Sequence, residues 1–193
     1  MHQGKFSRAL SAAVMALVTV LLSTGLAAPA HAGLIDDYAR YQPQRNCAHH
    51  DKPGAVALAT WLTAHGGGWG AISRPCGGGV SEHAEGRAFD WVLSAENPAD
   101  VALVDATLVE LFAPDLEGNP HALAREMGIM YIIWNDRMYA SYDAFEPKRY
   151  QSSSCRKRRL CSPTLRHRDH VHFSLSRQGG RGLTSFYLTA PAG

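Results

Sequence analysis

Two short stretches concentrate residues able to bind a metal ion or move a proton: Ser81-Glu82-His83-Ala84-Glu85-Gly86-Arg87-Ala88-Phe89-Asp90 and Asp169-His170-Val171-His172. An imidazole, a carboxylate and a second imidazole make three protein ligands, and zinc held by three such ligands keeps a fourth position for water, the catalytic arrangement. In that setting zinc polarises a carbonyl and lowers the pKa of water to about 7, which brings amide hydrolysis within reach at neutral pH. The second stretch has the period of a strand. With Val171 pointing away, His170 and His172 share one face and look at the same point.

Those residues need elements that turn them towards one another. AFDWVLS alternates strictly, with Ala88, Asp90 and Val92 on one face and Phe89, Trp91 and Leu93 on the other, so it reads as a strand carrying an acid among apolar neighbours. HVHFSLS reads as the last strand, GIMYIIW as a buried strand, and RMYASY as its return across a tight Asn135-Asp136-Arg137 turn. GAISR is a further short strand candidate, and PCGGGVSEHAEGR can only be a loop. Pro53-Gly54 opens a helix that stops at Gly66-Gly67-Gly68, and Asn97-Pro98 opens a second, with Val101, Val104, Leu108, Leu111 and Phe112 at helical spacing. A short helix fits Pro120 to Met127 with Gly128 as its C-cap, and GLTSFYL is a final apolar segment. Strands and helices mix without regular βαβ alternation. The expected fold is therefore α+β, a single domain with a central antiparallel sheet flanked by helices.

Composition narrows the function classes. Lys5 and Arg8 precede an uncharged run ending in Ala30-His31-Ala32, the pattern of a secretory signal peptide over residues 1–32, with the mature domain at 33–193 and its core at about 47–186. The whole chain has 19 Lys and Arg against 17 Asp and Glu; the leader carries two of the bases and none of the acids, so the mature part is balanced. That balance argues against a general nucleic-acid coat protein. No other apolar run approaches the about 18 residues of a membrane span, so a soluble exported protein is expected, extracellular or in the cell wall. Cys47, Cys76, Cys155 and Cys161 all fall in the exported part and read as two disulfides. Three connectivities are open; we favour Cys47 with Cys76, tying the N-terminal segment to the glycine-rich loop, and Cys155 with Cys161, closing CRKRRLC.

At the level of motif, SEHAEGRAFD fits S-x-H-x-x-G-x-A-x-D at every specified position. In this it resembles the zinc D-Ala-D-Ala carboxypeptidases and dipeptidases (VanY-like and VanX-like), relatives of lysostaphin-type endopeptidases and the hedgehog domain. ISRPC, GIMYIIWN and HRDHVHFSL add a likeness to a group of actinobacterial secreted domains near that superfamily, spanning roughly Cys47 to Phe186. The resemblance implies a hedgehog-like or D-Ala-D-Ala-peptidase-like fold, one Zn2+ on His83, Asp90 and His172, and peptide bonds of peptidoglycan stem peptides as substrate. It also implies that Arg74 stabilises the developing oxyanion and binds substrate, and that Ser81 shapes the loop or touches substrate. VanY-like enzymes carry a Glu as base three residues before the last His ligand, where this chain has Asp169. Asp is one methylene shorter. Lysostaphin-like relatives use the first His of His-x-His, which makes His170 the first choice for base and Asp169 the second.

The remaining candidates carry less. His49, His50, His65, His121 and His167 are single residues or loop residues, Glu82 and Glu85 read as exposed loop charges, and Arg156 to Arg159 could attract an anionic wall polymer or a substrate carboxylate but read rather as a solvated basic face. Trp61, Trp69, Trp91 and Trp134 read as core or groove lining. Two other functions are open: a wall-binding module that keeps zinc without cutting, and, more weakly, a secreted nuclease using His170 with the basic stretch 148–168, although no nucleic-acid partner is expected.

Overall fold

The computed structural model describes Met1 and residues 35–48, 50–77 and 79–189. The chain divides into two units, Met1–Ala32 and Gly33–Gly193, and every element described belongs to the second. The expected export signal, Met1 apart, and His49 lie outside the described residues.

Helix α1, Pro53–His65, begins with a proline where a missing N–H costs nothing. Ala55, Leu58, Ala59 and Leu62, at i, i+3, i+4 and i+7, form its buried stripe. Helix α2, Pro98–Phe112, is capped by Asn97, whose side chain accepts from the Ala99 N–H, and buries Val104, Leu108 and Leu111. The short helices are α3, Ala122–Glu126, α4, Arg177–Gly180, and α5, Ser185–Thr189. The strands are β1, Gly68–Trp69, β2, Ala88–Val92, β3, Ile129–Trp134, β4, Arg137–Ala140, β5, Pro147–Arg149, and β6, Val171–Leu175.

They form one six-stranded sheet in the order β1-β2-β6-β3-β4-β5, antiparallel at every pairing. The last strand of the chain thus sits in the middle. That insertion sets the site, because the β2–β6 register places Asp90 directly opposite His172, and Ile133 of β3 flanks His172 from the other side. One sheet face packs under the helices: Phe89, Trp91, Ile132, Trp134, Val171, Phe173 and Leu175 join Leu58, Leu62 and Leu111 in the main core. Each such fully buried side chain contributes about 1.5–3 kcal/mol. The opposite face carries Asp90, His172, Ser174 and a smaller cluster of Met130, Tyr131 and Ile133. A register shift between Ile129 and Tyr131 lets the consecutive Met130 and Tyr131 both join this second cluster, which strict alternation forbids.

The α+β class and antiparallel sheet are as expected. The strand expected at GAISR is not formed; the short strand lies just before it, at Gly68–Trp69. The Ala71 carbonyl still accepts from the Asp90 N–H of β2, but from Ile72 onward the backbone groups serve the site, with the Ile72 carbonyl accepting from His83 Nδ1 and the Arg74 N–H donating to the His83 carbonyl. The return strand stops at Ala140, where Ser141–Asp143 turns as a 3-10 helix, and GLTSFYL ends in helix α5. No helix among the described residues is long and apolar enough to cross a membrane.

Both disulfides form, Cys47–Cys76 and Cys155–Cys161, chemistry that suits an oxidising, extracellular setting. Cys47–Cys76 ties the N-terminal segment to the loop before His83. The segment is further stitched there by the Ala48 N–H on the Ala84 carbonyl and the Lys52 N–H on the Gly86 carbonyl, both at 2.8 Å.

Candidate metal centre

His83 stands on a 3-10 turn, Glu82–Glu85, immediately before β2. Ser81 caps it: its hydroxyl accepts from the His83 N–H at 3.3 Å, and its own N–H donates to Gln44 Oε1 at 2.8 Å. Gly86 closes the turn at φ 68°, and a Cβ there would stand 2.1 Å from the His50 carbonyl oxygen, so the glycine of the motif is required twice over. At Gly70 a Cβ would stand 2.0 Å from the Asp90 carbonyl oxygen, which is how closely the preceding segment approaches β2.

Three atoms converge at the sheet face. His83 Nε2, Asp90 Oδ1 and His172 Nδ1 form a triangle with edges of 3.1, 3.0 and 3.2 Å. Ligand atoms around a tetrahedral ion with bonds of about 2.0 Å stand about 3.3 Å apart, so this spacing fits a shared small cation. The far nitrogens support it. His83 Nδ1 donates to the Ile72 carbonyl, which can only accept, at 2.6 Å, leaving a lone pair on Nε2. His172 Nε2 is partnered by Ser174 Oγ at 2.9 Å, leaving Nδ1 as the ligand atom. Outer partners of this kind set tautomer and ring orientation in metal sites. Burial raises the Asp90 carboxyl, but the imidazoles of His172 and His83 more than offset it and hold the group well below the usual carboxylate range. Burial lowers the His172 imidazole, so it is neutral and ligand-competent. His83, Asp90 and His172 are thus a group that can hold a metal ion.

Beside the triangle stands a second unit. His170 Nδ1 donates to Asp169 Oδ1 at 2.7 Å, Asp169 Oδ2 accepts from the Thr164 hydroxyl at 2.5 Å, and His170 Nε2 lies 3.6 Å from Asp90 Oδ1. Asp169 therefore faces His170 with one oxygen and Thr164 with the other, while the free nitrogen of His170 faces the ligand group. Strand β6 starts only at Val171, but His170 still enters the same cleft as His172.

The cleft has a volume of about 430 Å³ and is walled by His83, Asp90, His170 and His172 together with Arg74 and Ser81, whereas Asp169 stands behind His170 and does not line it. Arg74 is exposed there. Sequence reasoning missed several other wall residues. Tyr131 stacks on His172 at 5.6 Å and donates to Glu82 Oε2 at 2.5 Å; Tyr150, Ser152, Ser153, Ser154 and Thr164 form the far wall. His167, set aside as a loop residue, packs at 4.8 Å from His170 and 5.6 Å from His172. Burial, then the neighbouring His172 and His170, push it down to about 2, so it is neutral. Its left-handed backbone, φ 51°, has no reliable signal in the residue type. His50, His65 and His121 bind elsewhere, to Lys52, the Trp61 carbonyl and Tyr38. Trp91 and Trp134 are core, and Trp69 is half exposed away from the cleft.

The segment carrying His167, Asp169 and His170 is held by the β3–β4 turn. Asp136 accepts two hydrogen bonds from Arg166, at 2.9 and 2.6 Å, and the Asn135 N–H donates to the His167 carbonyl at 2.7 Å. The Arg166 guanidinium holds the Asp136 carboxyl below its ordinary range.

Glu82 and Glu85 correct the sequence reading: they are buried, at 4% and 6% exposure. Arg87, 2% exposed, sits between them. Its Nε donates to Glu85 Oε2 at 2.6 Å, its terminal nitrogens donate to the Leu175 and Gln42 carbonyls, and Nη2 stands 3.6 Å from Glu82 Oε1. Glu85 Oε1 accepts from the Arg45 and Asn46 N–H groups. Replacing Arg87 with Met leaves two carboxylates buried without their cation, and the expected loss of unfolding free energy in urea is about 3–5 kcal/mol. A loss under about 1 kcal/mol, the scale of an exposed ion pair, would show that the cluster is not desolvated.

An α+β domain presenting a His, Asp, His ligand group on one face of an antiparallel sheet is the class that fold and site define. Residues 47–158 match the family described as VldE, C-terminal domain, and the chain belongs to that family. No curated protein and no solved structure matches the chain.

Proposed function

We propose that this is a secreted zinc metallopeptidase acting on peptide bonds of bacterial peptidoglycan, of the D-Ala-D-Ala carboxypeptidase kind. The observation that carries the reading is the placement of His170: its Nε2 faces the ligand group while Asp169 holds its other nitrogen. A base oriented by a carboxylate beside a metal-ligating triad is the equipment of amide hydrolysis. Two imidazoles and one carboxylate are a donor set that suits zinc. When bound, the ion supplies Lewis acidity towards a carbonyl and towards water.

The protein's own residues do the rest. His170 Nε2 takes the proton of the attacking water and returns it to the leaving amine. Asp169 keeps His170 in the tautomer with a free Nε2 and stabilises the imidazolium that forms, and Thr164 fixes Asp169. Arg74, at the cleft wall, offers a guanidinium to the developing oxyanion, and Ser81 holds the turn that presents His83. The peptidoglycan substrate rests on the resemblance of SEHAEGRAFD to the D-Ala-D-Ala peptidase signature, and export rests on the leader and the two disulfides.

Incubation of the purified, zinc-loaded protein with muropeptides ending in D-Ala-D-Ala, read by mass spectrometry, tests this. The expected result is loss of a single alanine, absent in the His172→Ala variant; a cut inside the stem or cross-bridge would make it an endopeptidase. Full zinc occupancy without cleavage of any wall fragment would leave the second reading, a wall-binding module, which the aspartate at position 169, where the VanY-like enzymes carry a glutamate, favours.

A further inference from the structure

Next to the metal-centre cleft lies a concavity of about 590 Å³ walled by Arg149, Gln151, Arg156, Lys157, Arg158, Arg159 and Arg166. We propose that it docks a linear polyanion without aromatic bases, a polyol phosphate chain of the cell envelope. Six of the seven wall residues are cationic and none is acidic or aromatic. Asp136 neutralises Arg166 and lies 3.9 Å from Arg158, whereas Arg149, Arg156, Lys157 and Arg159 are exposed and form no ion pair among the described residues.

Holding four uncompensated cations together is electrostatically unfavourable, and here the backbone enforces it. The Cys155–Cys161 disulfide closes the loop that carries Arg156 to Arg159, and a 3-10 turn at Arg158–Leu160 fixes its shape. A guanidinium presents a planar fork that matches phosphate oxygens, and a loop whose backbone is already fixed has less freedom to lose on binding. The absence of any aromatic wall residue argues against single-stranded nucleic acid, whose bases need stacking platforms.

The two cavities share walls. Arg149 and Gln151 line the basic one while Tyr150 and Ser152 line the metal-centre cleft, and Arg166 lines the former while Thr164 and Leu165 line the latter. A chain seated in the basic groove therefore runs alongside the metal centre. Its place in the wall rests on the function proposed above; the binding itself does not.

Fluorescence anisotropy with labelled poly(glycerol phosphate), titrated with the purified protein over a range of salt, decides it. Four neutralised charges give a slope of log affinity on log salt of about −3. The variant carrying Arg156→Gln, Lys157→Gln and Arg159→Gln should bind at least about tenfold more weakly with a slope near −1. All three residues are exposed and both disulfides remain, so circular dichroism should be unchanged. No salt-dependent binding, an unaffected triple variant, or binding as tight to oligo(dT), to polyglutamate or to phosphatidylglycerol vesicles would overturn the proposal. The same titration on the His83→Ala variant keeps this question apart from catalysis: unchanged binding with no peptide cleavage by the wild type would sink the peptidase reading and leave the polyanion site standing.

Discussion

A His83→Ala substitution should leave the purified protein without stoichiometric metal. The variant removes one corner of a triangle whose edges are only 3.0 to 3.2 Å, a corner that His83 supplies from the turn before β2. Asp90→Ala should do the same and also remove the anionic charge that makes a divalent ion welcome between two neutral imidazoles. Loss of an outer partner typically weakens metal affinity by about 10- to 100-fold, so Ser174→Ala, which frees His172 Nε2, sets the lower mark and the ligand variants must exceed it. Elemental analysis after dialysis against a weak chelator gives the readout. Undiminished zinc in either ligand variant would refute the assignment.

On the peptidase function proposed above, His170→Ala should keep the metal and lose the reaction. General acid–base catalysis contributes about 10²- to 10⁴-fold, and that is the fall in kcat expected with zinc content unchanged. The partner variant separates the two candidates for base. Both Asp169 oxygens are engaged, one by His170 and one by Thr164, so Asp169→Asn should act through the orientation of His170 and cost less than His170→Ala. If Asp169→Asn instead abolished turnover while His170→Ala retained most of it, the proton would pass through Asp169. The glutamate of the VanY-like enzymes can be tested on the same assay: Asp169→Glu lengthens the side chain by one methylene, which displaces His170 if Asp169 positions it and restores a base if the aspartate is a shortened one.

Much of this centre was legible in the residues. A ten-residue stretch with His83, Gly86 and Asp90 at fixed spacing is a local object: one 3-10 turn, a left-handed glycine and the start of a strand suffice to build it. The alternation in AFDWVLS likewise announces which side of the strand carries the acid, because side chains on a strand alternate whatever lies beyond. Both disulfide pairs are those favoured from spacing and from the glycine-rich loop.

What escaped was long-range. Glu82 and Glu85 are charged residues in a glycine-rich loop, and nothing local distinguishes a solvated carboxylate from one clamped by Arg87 under a segment drawn in from Gln42 to Asn46. His167 reads as an isolated histidine; it becomes a wall of the cleft because the Asn135-Asp136 turn, read as a simple hairpin, grips Arg166 and His167 some thirty residues further on. The bulge that turns Tyr131 onto His172 depends on the pairing of β3 with β6, a strand that arrives about forty residues later. Residue types and local spacing therefore marked the two stretches able to ligate a metal, since those features repeat within a turn or a strand, and the resemblance of SEHAEGRAFD to a known signature chose His83, Asp90 and His172 among them. Which histidine faces them, which carboxylates are buried and which cations share a groove were decided by strand order and by contacts between distant segments, because charge and burial depend on what packs opposite a residue, and that is not encoded in its immediate neighbours.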